Sequence, residues 1–584
     1  AIEKCDNTSY FIRDMETNNT NGFRSRIQLP MLAIVFVASV VISIATQVMQ
    51  GSSFMERVII PPFLSGDSAP LEEEDPLFRR VEAESKNIVV SETSEIQETP
   101  KVQETPESQE TPESQETSKV QETPESQGSS EQKEAKKPLN IVILYGDDWR
   151  HDSIGSANAS IVRTPFFDWL ASQGMKFIHN CVTTSVCWIS RATLYTGLYV
   201  SRHQSDYPDK PLWYSGWNET WPHLLRSMGY HLGHVGKWHF PVEDPVTSTF
   251  HHLNVYYGDH WYDEEGGRIH STKKDENGAI KFLKERPKEK PFLLEVCFFA
   301  PHSVDGTDEQ YFPQDESMSL YENETVAVPI SATDEAWNKL PWFFGDSNEG
   351  RRRWRIRFND PEKHQRMMKN YFRLISEIDK TSEAIYRELE SQNLLNSTLI
   401  IFTTDNGLYH SEHQLAGKWY PHQESIRVPL IIKDPRMPRS KLGTINKDFT
   451  LNVDLASTIL GAAGIQQPSV MQGRDISDLY LKRSRKSREW RKEFFYEHPV
   501  HINTRVIPAS TALVRKKYKF MTWPDYNVEQ LFDLESDPFE LNDLINSTEV
   551  QHIASEMRVR HDHLKEMALK AGPIDENAKI GLVS

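Results

Sequence analysis

The chain has 584 residues, of which 38% are hydrophobic and 10% aromatic, and its formal net charge is −18. That is enough length and apolar content for several ordinary domains with a large core. No basic stripe or recognisable nucleic-acid module is present, so a nucleic-acid partner is excluded. Four cysteines in a chain of this size also exclude a disulfide scaffold, and a Cys181–Cys297 bridge is left open but not indicated.

Residues 1–26 read as a short N-terminal tail. From Ile27 to Met49 the chain is uncharged and mostly apolar, with Arg24 and Arg26 just before it. A spanning helix needs about 20 such residues, and the preceding positive charge places the tail in the cytosol. Residues 27–49 are therefore expected to be a transmembrane or signal anchor, with a cleaved signal peptide as the rival. The expected location is the secretory pathway or cell-surface membrane, single-pass with a lumenal or extracellular catalytic domain. If the segment is cleaved, the protein is secreted. Sequons at Asn158, Asn218, Asn323, Asn396 and Asn546 weakly support that side of the membrane.

Residues 50–137 read as a disordered acidic stalk. Within it, 97–126 repeat every six residues from Gln97, Gln103, Gln109, Gln115 and Gln121. Residues 91–134 hold twelve Glu and three Lys, a balance of −9 and half the charge of the chain. Recurrent Pro and mutual Glu repulsion oppose a packed structure.

Order is expected from Pro138. Leu139–Tyr145, Pro291–Phe299 and Thr398–Thr404 are short continuous apolar runs, the pattern of strands buried on both faces of a parallel sheet. Helical stretches such as Pro165–Gln173 and Glu362–Ser391 intervene. The fold class that follows is α/β: a large, doubly wound, mostly parallel sheet flanked by helices, spanning 138–479. Residues 480–584 read as a smaller C-terminal α+β subdomain, with a strand over Ser510–Phe520.

The strands end in chemistry. Asp147-Asp148 follows the first, Pro301-His302 the second and Asp405-Asn406-Gly407 the third. Ligand sites in open α/β sheets lie at such carboxyl ends. Taken singly, each feature has an ordinary explanation as a helix cap, a turn or a packed Cys. Together, carboxylates and an amide oxygen suit a hard cation, Ca²⁺ or Mg²⁺, and no His/Cys cluster has zinc spacing. If Trp188–Tyr195 is helical, Cys187 sits at the N-terminal end, where free amides favour an anion, with Arg191 on the same side. Gly236-Lys237-Trp238-His239 ends a further strand, with Lys237 and His239 on one face. Lys418, in Gly417-Lys418-Trp419, reaches back to the same cleft. Two lysines, an arginine, a cation and two histidines around one nucleophile make a pocket for a tetrahedral anion such as a sulfate or phosphate ester. Arg351-Arg352-Arg353-Trp354-Arg355 reads as a solvated face. Trp213, Tyr214, Trp217 and Trp221 are candidates to stack on sugar, though such aromatics more often pack in a core.

These motifs resemble the sulfatases of the alkaline-phosphatase-like superfamily, from about Leu139 to beyond Leu544. The resemblance also rests on Thr164-Pro165-Phe166-Phe167-Asp168, Leu194-Tyr195-Thr196-Gly197, Met471-Gln472-Gly473-Arg474-Asp475 and the closing stretch Leu531–Asn542. It implies that a formylglycine-generating enzyme oxidises Cys187 to formylglycine. One hydroxyl of its hydrate attacks sulfur, and sulfate is then expelled as the aldehyde re-forms. It further implies that Asp147, Asp148, Asp405 and Asn406, with the modified Cys187, hold the cation (Ca²⁺, with Mg²⁺ the alternative). Arg191 stabilises the hydrate and His239 assists it, Lys237 and Lys418 bind sulfate oxygens, and His302 protonates the leaving oxygen. It implies an antiparallel sheet in the C-terminal subdomain. Ile189 departs from the family motif, which has Pro or Ala two positions after the Cys. The expected substrate is a sulfated glycan or other sulfate ester. The alternatives are a phosphate or phosphonate ester hydrolase of the same superfamily and a catalytically inactive glycan-binding ectodomain.

Overall fold

A computed structural model of the chain describes residues 138–157, 161–206, 214–481 and 490–574. The expected tail, anchor and stalk lie outside them. Among the described residues no helix is long and apolar enough to cross a membrane.

Eight strands form one sheet: β1 (Asn140–Gly146), β2 (Met175–Cys181), β3 (His231–Gly236), β4 (His252–Val255), β5 (Phe292–Cys297), β6 (Thr398–Thr404), β7 (Ile431–Lys433) and β8 (Thr444–Leu451). Their order is β8-β2-β7-β6-β1-β5-β3-β4. Only β7 runs antiparallel to its neighbours. The three apolar runs become β5, β1 and β6, adjacent at the centre of the sheet.

Period-two alternation explains why β1 is apolar throughout. Ile141, Ile143 and Tyr145 join a core on one face, and Val142 and Leu144 join the core on the other. The first core is covered by α2 (Cys187–Thr196) and α6 (Asp454–Ala462). The second is covered by α1 (Pro165–Ser172), α3 (Ser271–Glu285) and α5 (Pro361–Ser391), with Trp354 of α4 (Glu349–Arg357) packed against it. Each large side chain so buried contributes about 1.5–3 kcal/mol. Helix α5 starts where the sequence places a stop for anything earlier: Pro361 occupies the first turn and the Asp360 carboxylate accepts from the amides of Glu362 and Lys363.

Towards the C-terminus, β9 (Glu493–His498), β10 (Ser510–Arg515), β11 (Tyr518–Trp523) and β12 (Val528–Asp533) form an antiparallel sheet in sequence order, packed against α7 (Gln551–Ala568). The segment read as one strand over Ser510–Phe520 is two, with the chain turning at Lys516-Lys517. Cys181, Cys187 and Cys297 are all free buried thiols, so no Cys181–Cys297 bridge forms.

Candidate active site

Sheet register builds the site. Gly146 of β1 pairs with Thr404 of β6, so Asp147 and Asp405 leave the sheet side by side. Arg191 Nη2 ties them together, lying 3.0 Å from Asp147 Oδ2 and 2.9 Å from Asp405 Oδ2. Arg191 Nη1 also donates to the Lys237 carbonyl at 2.9 Å. All three side chains are buried. Burial and the neighbouring Asp147 push the Asp405 carboxyl up, against Arg191. Burial pushes Asp147 up as well, but there Lys237, His302 and Arg191 outweigh it and hold the carboxyl low.

Cys187 is the first residue of α2 and Arg191 stands one turn on. The Cys187 Sγ lies 3.5 Å from Asp147 Oδ1 and 2.7 Å from Lys418 Nζ. Lys418 Nζ is 2.5 Å from Asp148 Oδ1, and Lys237 Nζ is 2.6 Å from Asp147 Oδ2. Burial and Asp147 push the Cys187 thiol far up, so the unmodified side chain is a protonated, weak nucleophile.

The two lysines arrive by the same device. Each follows a glycine with positive φ, +97° at Gly236 and +91° at Gly417. A Cβ at Gly236 would come within 2.1 Å of the Cys297 carbonyl, and one at Gly417 within 2.7 Å of the Trp419 ring. Strand β3 ends at Gly236, so Lys237 and His239 lie beyond it rather than alternating on it. They still meet beside Tyr257: the His239 ring stacks on it at 5.6 Å and Lys237 Nζ lies 6.0 Å from its centroid. Asp148, His239 and Trp419 all hold positive φ, at +55°, +77° and +85°. Such backbone in non-glycine residues concentrates at functional sites.

His302 closes the ring. Its Nδ1 lies 2.6 Å from the Ser303 carbonyl, which can only accept, so the Nδ1 carries hydrogen and Nε2 faces Asp148 Oδ2 at 3.6 Å. Burial and Lys237 hold the ring well below the usual histidine range. Burial and Lys237 act in the same direction on His239, whose Nδ1 is buried without a hydrogen-bond partner.

The residues fit a divalent cation. Ligand-capable atoms of Asp147, Asp148, Cys187 and His302 lie within 4.8 Å of one another. Asn406 Nδ2 donates to Asp148 Oδ1 at 2.5 Å, while its Oδ1 is buried with no partner, an oxygen left free for a cation. Asp405 adjoins this cluster, with its Oδ2 on Arg191 and its Oδ1 accepting from the Asp148 amide, and a ring nitrogen of His302 lies within the cluster.

Other expectations need correction. Trp217 and Trp221 are fully buried, bonding Thr249 Oγ1 and the Leu194 carbonyl, and are core residues rather than a sugar platform. Trp213 and the Tyr214 side chain lie outside what is described. The basic run is only partly a solvated face. Arg352 and Arg355 are exposed, whereas Arg351 is sandwiched between Trp337 and Trp354, and Arg353 and Arg357 are turned inward. Tyr371 joins the site without a sequence signal: from α5 its hydroxyl donates to the Asp148 carbonyl at 2.9 Å. An aromatic on an amphipathic helix carries no signal of that role.

Residues 139–465 match the Sulfatase family. The chain belongs to the sulfatase family. It is a sulfuric ester hydrolase with the alkaline-phosphatase-like fold. Residues 411–567 match the C-terminal family of N-sulphoglucosamine sulphohydrolase. An N-acetylglucosamine-6-O-sulfatase of Bacteroides thetaiotaomicron is 24% identical over 487 residues, covering 72% of this chain and 84% of the relative. An arylsulfatase of Clostridium perfringens is 26% identical over 481 residues, covering 74% and 94%. A solved structure of a protein in complex with its substrate, D-glucosamine-2-N,6-O-disulfate, superimposes with a TM-score of 0.63 at 22% identity, over 76% of this chain and 100% of that one.

Proposed function

We propose that this sulfatase removes sulfate from a sulfated, glucosamine-containing glycan, using formylglycine made from Cys187 and a bound divalent cation, Ca²⁺ in preference to Mg²⁺. One observation carries the reading: Lys418 Nζ is within 2.7 Å of Cys187 Sγ, inside a cluster of three buried carboxylates and three buried cations. Asp147, Asp148 and Asp405 are offset by Arg191, Lys237 and Lys418. A divalent ion held by Asp147, Asp148, Asp405, Asn406 and the modified Cys187 therefore leaves an excess of positive charge for an anionic ester. The N-acetylglucosamine-6-O-sulfatase relative and the disulfated sugar of the solved structure support an amino-sugar substrate.

When present, formylglycine supplies an oxygen nucleophile that a buried thiol does not, and the cation supplies charge against the sulfuryl oxygens. The side chains of this protein do the rest. Arg191, one turn along the nucleophile's own helix, fixes Asp147 and Asp405. Lys237 and Lys418 hold ester oxygens in place of their carboxylate partners. His302 Nε2 delivers a proton to the departing alcohol oxygen. An anionic ester beside Lys237 and Lys418 offsets two charges that depress His302, which favours the protonated ring at that moment. His239 assists at the nucleophile, beside Trp188.

We also propose that 1–26, 27–49 and 50–137 are tail, anchor and stalk, that the catalytic domain spans 138–479 with its subdomain at 480–584, and that the ectodomain faces the lumen or cell exterior, where a formylglycine-generating enzyme meets it. The exposure of Asn218, Asn323, Asn396 and Asn546 supports that side of the membrane. The deciding assay is release of inorganic sulfate from 6-O-sulfated N-acetylglucosamine, set against the matching phosphate ester. Faster phosphate cleavage would replace this reading with a phosphatase.

A further inference from the structure

The stretch Leu340-Pro341-Trp342-Phe343-Phe344 carries three aromatic side chains in a row, and the fold treats them differently. Phe343 and Phe344 are buried, whereas Trp342 is 76% exposed. The Phe344 ring packs 4.9 Å from Tyr420, two residues after Lys418, and the Phe343 ring stacks on Tyr526 at 4.0 Å. These two anchor the segment and leave Trp342 standing on it. The indole meets the Tyr526 ring at 5.2 Å and the Phe343 ring at 5.7 Å, each at 82°. Two edge-to-face contacts orient the ring without covering it.

Trp342 stands on the lip of the site. Asn348, six residues on, donates from Nδ2 to Tyr420 Oη at 2.7 Å, and Glu349 N donates to the Val506 carbonyl at 3.0 Å. Val506 belongs to the loop that follows β9. One end of that loop reaches the nucleophile: the His501 ring lies 5.1 Å from Trp188, the residue after Cys187. The other end reaches the indole: Ala509 N donates to Asp525 Oδ2 at 3.0 Å, beside Tyr526. The loop folds back on itself, with His501 paired to Ile507. One cross-strand spacing and two further residues separate the Cα atoms of His501 and Ala509, a distance of no more than about 12 Å. A glycan of a few rings spans from the nucleophile to the indole.

The surroundings narrow the occupant. A protein or lipid surface docks on a contiguous apolar patch. The exposed neighbours of Trp342 and Tyr526 in the chain are mostly polar instead, among them Asn338, Asp346, Ser347, Asp525 and Asn527. A single oriented indole among hydrogen-bonding groups matches a pyranose, whose C–H face is apolar and whose rim of hydroxyls is not.

We propose that Trp342, braced by Tyr526, is an outer sugar subsite, stacking on a pyranose ring of the glycan other than the one whose sulfate lies at Cys187. This rests on the sulfated-glycan reading above and adds a preference for oligosaccharides over single sugars. The stacked ring is remote from the sulfate, so the preference resides in KM.

The test uses the full chain, with 6-O-sulfated N-acetylglucosamine and a tetrasaccharide ending in the same sugar as probes. In the Trp342→Ala variant, kcat/KM for the tetrasaccharide falls about tenfold more than for the single sugar, through KM. Trp342→Phe keeps an aromatic face and shows a smaller gap. Equal losses on both probes would overturn the subsite, as would no loss on either. Calorimetric binding of the tetrasaccharide in a Cys187→Ala background keeps the proposal separate from turnover. If neither probe is hydrolysed but Trp342→Ala still weakens binding about tenfold, the catalytic reading fails and the subsite stands. Binding that Trp342→Ala leaves unchanged sinks the subsite alone. Light scattering is expected to give one particle mass for parent and variant. A mass halved by Trp342→Ala would make the indole a contact between two copies of the chain and overturn the subsite. Melting curves of both variants show that each is folded.

Discussion

Lys418 Nζ stands 2.7 Å from Cys187 Sγ and 2.5 Å from Asp148 Oδ1, so one ammonium joins the nucleophile position to the carboxylate pair. Replacing it with Met leaves Asp148 without its closest cation and the ester without a donor. Turnover of a sulfated sugar is expected to fall about 10²–10³-fold, as when one preorganised donor is removed elsewhere. Steady-state kinetics on Lys418→Met checks this, and a loss of less than threefold would place Lys418 outside the reaction.

Arg191 is the only buried cation that touches both Asp147 and Asp405 among the described hydrogen bonds. Arg191→Met strands two buried carboxylates. The expected cost is about 3–5 kcal/mol, the range for breaking a buried pair from one side. Urea unfolding measures it. Millimolar Ca²⁺ should return part of the loss by binding the freed carboxylates, and a variant indifferent to Ca²⁺ would argue against a cation at this position.

Much of this centre was legible because β1 and β6 are apolar on both faces and each is followed at once by a polar dipeptide, Asp147-Asp148 and Asp405-Asn406. Adjacent central strands with in-phase ends put those dipeptides together, and the sequence pattern contains both facts. Arg353 was not legible, since a basic run looks the same whether its helix faces solvent or folds against Trp419. Tyr371 was hidden for a similar reason, as its hydroxyl acts from a helix whose periodicity reports only burial. The antiparallel β7 is three residues long and has too little alternation to declare a direction. Trp217 and Trp221 misled because aromatic spacing does not distinguish a binding face from a core.

Ile189 bears on modification rather than on folding. It is buried, and the first hydrogen bond of α2 runs from Ser190 N to the Val186 carbonyl. Position 189 therefore lies in the first turn, where proline removes no helix hydrogen bond. Ile189→Pro is expected to cost about 1–3 kcal/mol through lost packing, yet to raise the fraction of Cys187 converted to formylglycine. Peptide mass analysis of both proteins from the same cells decides it. Equal conversion would mean that the enzyme acting on Cys187 does not read this position.

Asp275 gives a pH signature remote from the chemistry. Its Oδ1 accepts from the Tyr256 hydroxyl at 2.6 Å, and its Oδ2 is buried without a partner. Burial pushes the carboxyl up to about 8. The unfolded chain releases this proton near pH 4 and the folded protein near pH 8, so between those values the folded state binds more protons and stability declines as pH rises. Asp275→Asn removes that slope. The variant should be more stable than the parent by about 1–3 kcal/mol at pH 8 and closer to it at pH 5. Parallel melting curves across the window would refute this if the difference did not grow with pH.

The most direct measurement pairs the mass of the Cys187 peptide with sulfate release from the same preparation. The prediction is that active protein carries an aldehyde in place of the thiol, that specific activity scales with the converted fraction across preparations, and that Cys187→Ala releases no sulfate. Full sulfate release from protein whose Cys187 is a reduced thiol throughout would contradict the account.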